Sequence, residues 1–491
     1  MRKLLIVLGI PIDDLNMEEA LERLDEFVTV GRAAGKSHQV ATVNADFVVK
    51  ALNDPELRLL LQQADMATAD GMPLVWGSRL LGAPLRGRVT GADMVPALAA
   101  RAAQKGYSLY LLGAAPGVAA RAATILQEQN PGLRIAGVYS PPQRPVLEMD
   151  QAIVDQIKAA RPDILLVAFG NPKQEKWIGM HAPELGVPVC IGVGGTLDFV
   201  AGKTRRAPQW MQQAGLEWVY RLAQEPRRLW KRYVVDLAGF GFFFLRQWWA
   251  MRGAPGPAAL LPVSDTLLVA DKAILRIEGR LDTGNRDAFM TRAEEAFEEL
   301  QRMGNPPRLV IDLERATFLD SSAIGALVGL SKRAHDAGGE LVLAAVPQPI
   351  GRVLTLTRLD RFFPTYPNVE AALGYLSAAA EPAAPGRQTR SGWEILATPR
   401  RFDAESSPAV TEAGLGRLAL NPRLILDMSG TVFLASAGLA AMLTLDRRAK
   451  ELGGALRIAG CSADARRVIE LARLDAILSV YRDVEAAASA R

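Results

Sequence analysis

Over residues 1–220, short runs of consecutive apolar residues alternate with stretches of helical period. The runs Leu4–Gly9, Gln39–Thr42, Met66–Ala69, Ser108–Leu112, Ile135–Tyr139, Ile164–Ala168 and Val187–Gly192 predict buried strands. Glu18–Val30 and Gly91–Lys105 are among the helices between them. This alternation predicts an α/β domain on a Rossmann-like, mostly parallel sheet, where ligands gather at the carboxyl ends of strands. The apolar start resembles a secretion signal only briefly. It is short, has no small-residue cleavage site and runs into Pro11-Ile12-Asp13, so Leu4–Gly9 is read as a buried first strand. The longest apolar stretch, Leu237–Leu245, is too short to span a bilayer.

Beyond residue 263 the pattern repeats. Leu309–Leu319 (LVIDLERATFL) aligns with Leu424–Leu434 (LILDMSGTVFL) at an offset of 115, which then holds for Gly338/Gly453, Leu359/Leu474 and Tyr366/Tyr481. Upstream, Leu281-Asp282 matches Phe402-Asp403 at 121, so the second copy is shorter. A repeat of this length is a duplicated domain, each copy reading strand, helix, strand, helix, strand, helix. The resulting boundaries are an N-terminal domain over 1–233 with an appendage from about 213, an aromatic and basic segment with linker over 234–263, a first repeat over 264–378, a linker over 379–390 and a second repeat over 391–491. The repeats are expected to be small α/β domains.

Composition narrows the chemistry. With 491 residues, two to four domains are expected; 49% hydrophobic and 22% charged residues exclude wholesale disorder. Two cysteines and three histidines leave little from which to build a disulfide framework or a metal centre, so neither a metal nor a cofactor is expected. The net charge of +4 is uneven: +5 over 1–252 and −1 over the remainder. Within 221–252 seven Lys or Arg face two acids, which suits phosphates of a nucleic acid or of a membrane surface. No nucleic-acid motif accompanies them, and Phe240, Phe242–Phe244, Trp248 and Trp249 beside them favour a bilayer interface over a helix packed on the protein.

Four polar clusters fall at strand ends or helix starts: Thr42-Val-Asn44-Ala-Asp46, Ala69-Asp70-Gly71-Met-Pro, Arg88-Val-Thr90-Gly91-Ala-Asp93 and Gly170-Asn171-Pro-Lys173-Gln174-Glu175. Singly, each has a plain reading as a turn or a cap. Together they point to a ligand at one edge of the sheet. The glycine segments Gly113–Gly117 and Gly192–Gly195 are not Walker loops; each could turn backbone N–H groups towards a diphosphate or simply allow close packing.

Taken in order, Thr42-x-Asn44, Ala69-Asp70-Gly71, Arg88-Val-x-Gly91, Leu111-Leu112-Gly113, Gly170-x-Pro172-Lys173-Gln174-Glu175, Gly194-Gly195-x-x-Asp198-Phe199, Ala207-Pro208 and Glu217-Trp218-x-x-Arg221-Leu222 resemble the WecG/TagA/CpsF family of bacterial glycosyltransferases. The resemblance covers 1–233. It implies inverting transfer of a hexose, typically N-acetylmannosamine, from a UDP-sugar to a polyprenyl-diphosphate-linked sugar in cell-surface polysaccharide synthesis. It implies Asp70 as the base, with Thr42 beside it in the catalytic pocket. Asn44, Arg88, Gly113, Asn171, Lys173, Gln174, Gly194 and Gly195 are implied substrate contacts. Arg221, Arg228, Lys231 and Arg232 are implied charges on an appendage that closes over the site and meets an anionic membrane. The expected location is the inner face of the cell membrane.

The loop Asp320-Ser321-Ser322-Ala323-Ile-Gly325, opening a helix, resembles the STAS domain of anti-sigma-factor antagonists. The resemblance implies Ser321 as a phosphorylation site for a partner kinase and a docking surface for an anti-sigma-like protein. A plain helix cap explains the same residues. The second copy carries Ala435 in place of the aspartate, so docking is expected there rather than a switch. A competing reading makes the chain a regulatory scaffold with a sugar-nucleotide-sensing N-terminal domain.

Overall fold

The computed structural model describes residues 3–490 apart from 143, 150, 205, 214–215, 225–229, 231–238, 250–262, 270, 361 and 379–387. The chain begins with a hairpin, β1 (Leu4–Val7) and β2 (Ile10–Asp13), followed by α1 (Met17–Ala34), β3 (His38–Val43), α2 (Ala45–Asn53), α3 (Pro55–Gln63), β4 (Met66–Ala69), α4 (Met72–Leu80) and α5 (Gly91–Lys105). Then come β5 (Ser108–Gly113), α6 (Val118–Gln129), β6 (Arg134–Tyr139), α7 (Gln151–Ala160), β7 (Ile164–Ala168), α8 (Lys173–Leu185), β8 (Val189–Gly192), α9 (Thr196–Val200), α10 (Gln209–Gln213) and α11 (Glu217–Gln224). A further helix, α12, runs over 239–249.

Strands β3 to β8 form one six-stranded sheet in the order β4-β3-β8-β7-β5-β6, with every pairing parallel. Runs such as Ile164–Ala168 are buried along their whole length, as a sheet covered on both faces requires. The helices start and stop on local chemistry. Asn16 and Glu19 form a reciprocal capping box for α1, and Gly35 closes it in the left-handed conformation.

The first strand departs from expectation. β1 is buried, but it pairs antiparallel with β2 in a two-stranded sheet of its own rather than joining the parallel sheet. The reason is the turn. Leu8 and Gly9 both hold positive φ, which reverses the chain and makes Ile10–Asp13 the returning strand. Asp13 ties that hairpin to the main sheet by accepting the Ala67 amide at 2.7 Å.

The first repeat comprises β9 (Val263–Val269), β10 (Lys272–Ile277), β11 (Gly279–Leu281), α13 (Arg286–Arg302), β12 (Arg308–Asp312), β13 (Ala316–Leu319), α14 (Ser321–Asp336), β14 (Glu340–Ala344), α15 (Gln348–Leu356), β15 (Thr365–Tyr366) and α16 (Val369–Ala378). The second comprises β16 (Gln388–Arg390), β17 (Trp393–Ala397), β18 (Arg401–Phe402), α17 (Ser407–Leu420), β19 (Arg423–Asp427), β20 (Phe433–Leu434), α18 (Ser436–Glu451), β21 (Ala455–Ala459), α19 (Ala463–Leu471), β22 (Ser479–Tyr481) and α20 (Val484–Ser489). Their sheets, β15-β14-β12-β10-β9 and β22-β21-β19-β17-β16, have one topology. Each opens with an antiparallel strand pair, so each copy has more strands than its sequence pattern suggests. The change of offset is also explained. Three residues fewer in α17 than in α13, and three fewer in the following loop, bring 121 down to 115.

The repeats pack on the N-terminal domain. Ile6 of β1 enters the core of the first repeat with Ile324 and Leu327, while Leu5 and Val7 face Phe240 and Phe244 of α12. Strand alternation sends neighbours to opposite faces, so one strand serves two cores. Gly325 of α14 lies so close that a Cβ would stand 2.5 Å from the Leu4 carbonyl oxygen. Lys332 donates to the carbonyls of Gln63 and Ala64.

Candidate functional site

A cavity of about 320 Å³ opens over the carboxyl ends of the four neighbouring strands β4, β3, β8 and β7. Each strand delivers groups from its last two residues or from the three that follow it. Thr42 and Asn44 come from β3, Asp70 from β4, Asn171 from β7, and Gly194 and Gly195 from β8. Arg88, Gln174, Glu217 and Trp218 also line it.

Local structure explains each position. The Asp70 amide donates to the Val43 carbonyl at 2.7 Å, and Gly71 follows at φ +140, a conformation that side chains rarely adopt. That turn ends β4 and starts α4 with Asp70 on the cavity wall. Thr42 is buried and donates to the Gly192 carbonyl at 3.0 Å, bridging β3 and β8. The Asn44 side chain caps α2 by accepting the Phe47 amide.

Gln174 is held more tightly than a ligand contact requires. Its Oε1 accepts the amides of Gly170 and Gly194, both at 3.0 Å, and its Nε2 donates to Glu175 at 2.8 Å. It therefore staples the loops after β7 and β8 together. Burial pushes the Glu175 carboxyl up to about 8, against the opposing pull of the Gln174 hydrogen bond. Asp46, which lines the same cavity, pairs with Lys50 at 2.9 Å.

Arg88 does not stand open to a ligand. Its Nη1 donates to Glu217 Oε2 at 2.9 Å. Arg206 holds Asp93 through two hydrogen bonds, at 2.5 and 2.8 Å, and approaches Glu217 at 3.6 Å. Burial would raise the Asp93 carboxyl, but the Arg206 and Thr90 hydrogen bonds bring it below its usual range.

Two implied contacts lie elsewhere. Gly113 is outside the cavity wall, at the end of β5, where a Cβ would stand 2.8 Å from the Ala168 oxygen; its glycine serves close strand packing. Lys173 is also outside the wall, with its ammonium 5.1 Å above the Phe169 ring and its pKa lowered by burial. Arg221 falls on α11. Arg228, Lys231 and Arg232 lie outside the described residues. Sequence reasoning missed Asp46, Glu175, Arg206 and Glu217 as participants. Three of them sit inside quoted motifs, and Arg206 immediately precedes Ala207-Pro208.

The aromatic segment divides by face. In α12, Phe240 and Phe244 are buried in the N-terminal core, Gln247 bonds to Leu8 and Ile6 of the hairpin, and Trp248 donates to the Leu80 carbonyl. Phe242, Phe243, Leu245 and Trp249 are exposed. Packing and an outward apolar face thus coexist. No described helix is long and apolar enough to cross a membrane. In the first repeat, Asp320 caps α14, and Ser321 behind it is 1% exposed, with no hydrogen-bond partner for its hydroxyl among the described residues.

Comparison with known proteins agrees with this arrangement. Residues 5–254 match the model of the Glycosyl transferase WecG/TagA/CpsF family, and 265–372 and 387–487 each match the STAS domain. An N-acetylglucosaminyldiphosphoundecaprenol N-acetyl-β-D-mannosaminyltransferase of Bacillus spizizenii is 34% identical over 193 residues, 39% of this chain and 73% of the relative. One of the same name from Staphylococcus aureus is 30% identical over 224 residues, 45% of this chain and 85% of the relative. A solved anti-sigma factor antagonist of Mycobacterium paratuberculosis is 23% identical, covering 26% of this chain and 98% of its own, with a TM-score of 0.21. With a family match spanning half its length and a cavity where that match concentrates its polar motifs, this chain belongs to the WecG/TagA/CpsF glycosyltransferases and carries two STAS domains behind the enzyme.

Proposed function

We propose that the enzyme transfers N-acetylmannosamine from its UDP-sugar to an N-acetylglucosamine carried on a polyprenyl diphosphate, with inversion at the anomeric carbon. The relatives' names supply the sugar and the acceptor. The observation that carries the reading is the convergence of Thr42, Asn44, Asp70 and Arg88 on one cavity at the strand ends. In the proposed step an acceptor hydroxyl attacks the anomeric carbon while Asp70 takes its proton. The bond from that carbon to the diphosphate oxygen breaks, and UDP leaves with the electron pair. Arg88 and the backbone amides at the strand ends offset the charge developing on the leaving group.

The exposed apolar face of α12 supports placement at a bilayer surface, where a lipid-linked acceptor resides. The STAS pair acts on the enzyme from within the same molecule, through the hairpin and α3, which supports regulation by internal docking. The test is a transfer assay with a panel of UDP-sugars and a short-chain polyprenyl-diphosphate N-acetylglucosamine, run beside Asp70→Asn. Acceptor-dependent UDP release that disappears in the variant is expected. Turnover that survives Asp70→Asn would remove Asp70 from the role of base, and no release with any donor would remove the reaction.

A further inference from the structure

Among the described residues that line the cavity, Arg88 is the one cationic side chain, and a carboxylate of the same chain already occupies it. Four groups meet at this mouth, and they differ in how they are held. Asp93 belongs to the framework: it lies in the first turn of α5, and Thr90 Oγ1 and both terminal nitrogens of Arg206 hold its carboxylate. Glu217 lies at the first position of α11, an eight-residue helix that covers the cavity together with Trp218. Its carboxylate reaches back to Arg88 at 2.9 Å and towards Arg206 at 3.6 Å.

We infer that Arg88 and Arg206 frame an anion subsite whose occupant here is the Glu217 carboxylate, and that a diphosphate group takes its place as Glu217 lets go. A carboxylate offers a guanidinium two oxygens at nearly the spacing that a phosphate does, so either satisfies the same donors. Besides Glu217, the half-buried Arg88 has among the described residues only the Asp93 carboxylate, at 3.9 Å, so Glu217 supplies its close partner. Entry of the diphosphate and release of Glu217 are then one exchange. Glu217 works against ligand binding, because the competent state is only the fraction in which it has let go.

The ligand's identity rests on the glycosyltransfer reading; the anion subsite itself does not. Inorganic pyrophosphate is therefore the first probe, titrated calorimetrically into the full chain as wild type, Glu217→Gln, Glu217→Ala and Arg88→Gln. Both Glu217 variants are expected to bind it about tenfold more tightly, and Arg88→Gln to lose binding. Equal or weaker binding by both Glu217 variants overturns the proposal, since a merely structural Glu217 would loosen the site. Titration with UDP and with farnesyl diphosphate then separates the sources: tightening with UDP assigns the donor's diphosphate, tightening with farnesyl diphosphate the acceptor's. Tightening by pyrophosphate without any sugar transfer would keep the subsite and discard the transferase reading. Transfer without tightening would do the reverse.

Discussion

Glu56, on α3 of the transferase domain, accepts the backbone amide of Ser436 at the start of α18 in the second STAS domain. The contact accounts for the residue that this domain lacks. In the first domain Asp320 caps its own helix, accepting the Ala323 amide at 2.7 Å. In the second, Ala435 has no side chain to do so, and the enzyme supplies the carboxylate. Lys176 holds the same Glu56 at 3.0 Å and Asp54 at 2.8 Å.

Glu56→Ala should therefore lower stability by about 1–3 kcal/mol, the cost of a lost cap and a buried ammonium left with one partner. Ala435→Asp should also destabilise, because it sets a second carboxylate beside Glu56. The double change Glu56→Ala with Ala435→Asp should recover much of the loss, since the helix regains a cap of its own. Chemical denaturation midpoints of the three variants check this, and an additive double variant would contradict it.

Ile6 should matter to a domain more than 250 residues away. Truncating it to Ala removes a side chain from the first STAS core and should cost about 2–4 kcal/mol. Hydrogen exchange should then speed up in α14 as well as in the hairpin. Faster exchange in the hairpin alone would mean that the two cores are not coupled through this strand.

Glu175 predicts a pH slope. Its folded-state pKa, near 8, lies above its value in the unfolded chain, so its contribution is fully favourable only below the ordinary carboxylate range. Stability should fall as pH rises from about 4.5 to about 8, because the unfolded chain gives up this proton and the folded one retains it. Melting temperatures of Glu175→Gln across that window should show a flatter slope than wild type. An unchanged slope would place the titration elsewhere.

The outward face of α12 predicts surface binding without a structural penalty. Phe242 is 64% and Trp249 69% exposed, so replacing both with Ser should leave the melting temperature within about 1–2 °C while weakening co-sedimentation with anionic vesicles. Unaltered vesicle binding would assign membrane contact, if any, to another surface.

Much of this molecule was legible without coordinates. Fully apolar runs such as Ile164–Ala168 mark parallel strands because both faces of that sheet are covered, and burial of this kind is written into local composition. The constant offset of 115 marked the duplication, and α14 and α18 indeed begin and end 115 residues apart. Residues following consecutive strands could be gathered into one site because a parallel sheet brings their ends to one edge.

What the sequence by itself determined was thus the buried parallel strands of the first domain, the three-domain order and the polar groups at one sheet edge; the hairpin and the extra strands of each repeat it did not. The tertiary structure decided who pairs with whom. Period-two alternation says that Leu5 and Ile6 face opposite ways, not that one meets α12 and the other a STAS core. A motif places Arg88 near a ligand, but only the fold brings Glu217 to it from 129 residues away. An aromatic-rich helix reads the same whether docked or exposed, until packing buries Phe240 and Phe244 and leaves Phe242 and Trp249 outside. Likewise the resemblance implies Ser321 as a phosphorylation site, and only the fold shows that residue 1% exposed. Period and composition report the environment that a residue needs; the partner that provides it is set by how distant surfaces dock, and that information lies in no local window of the chain.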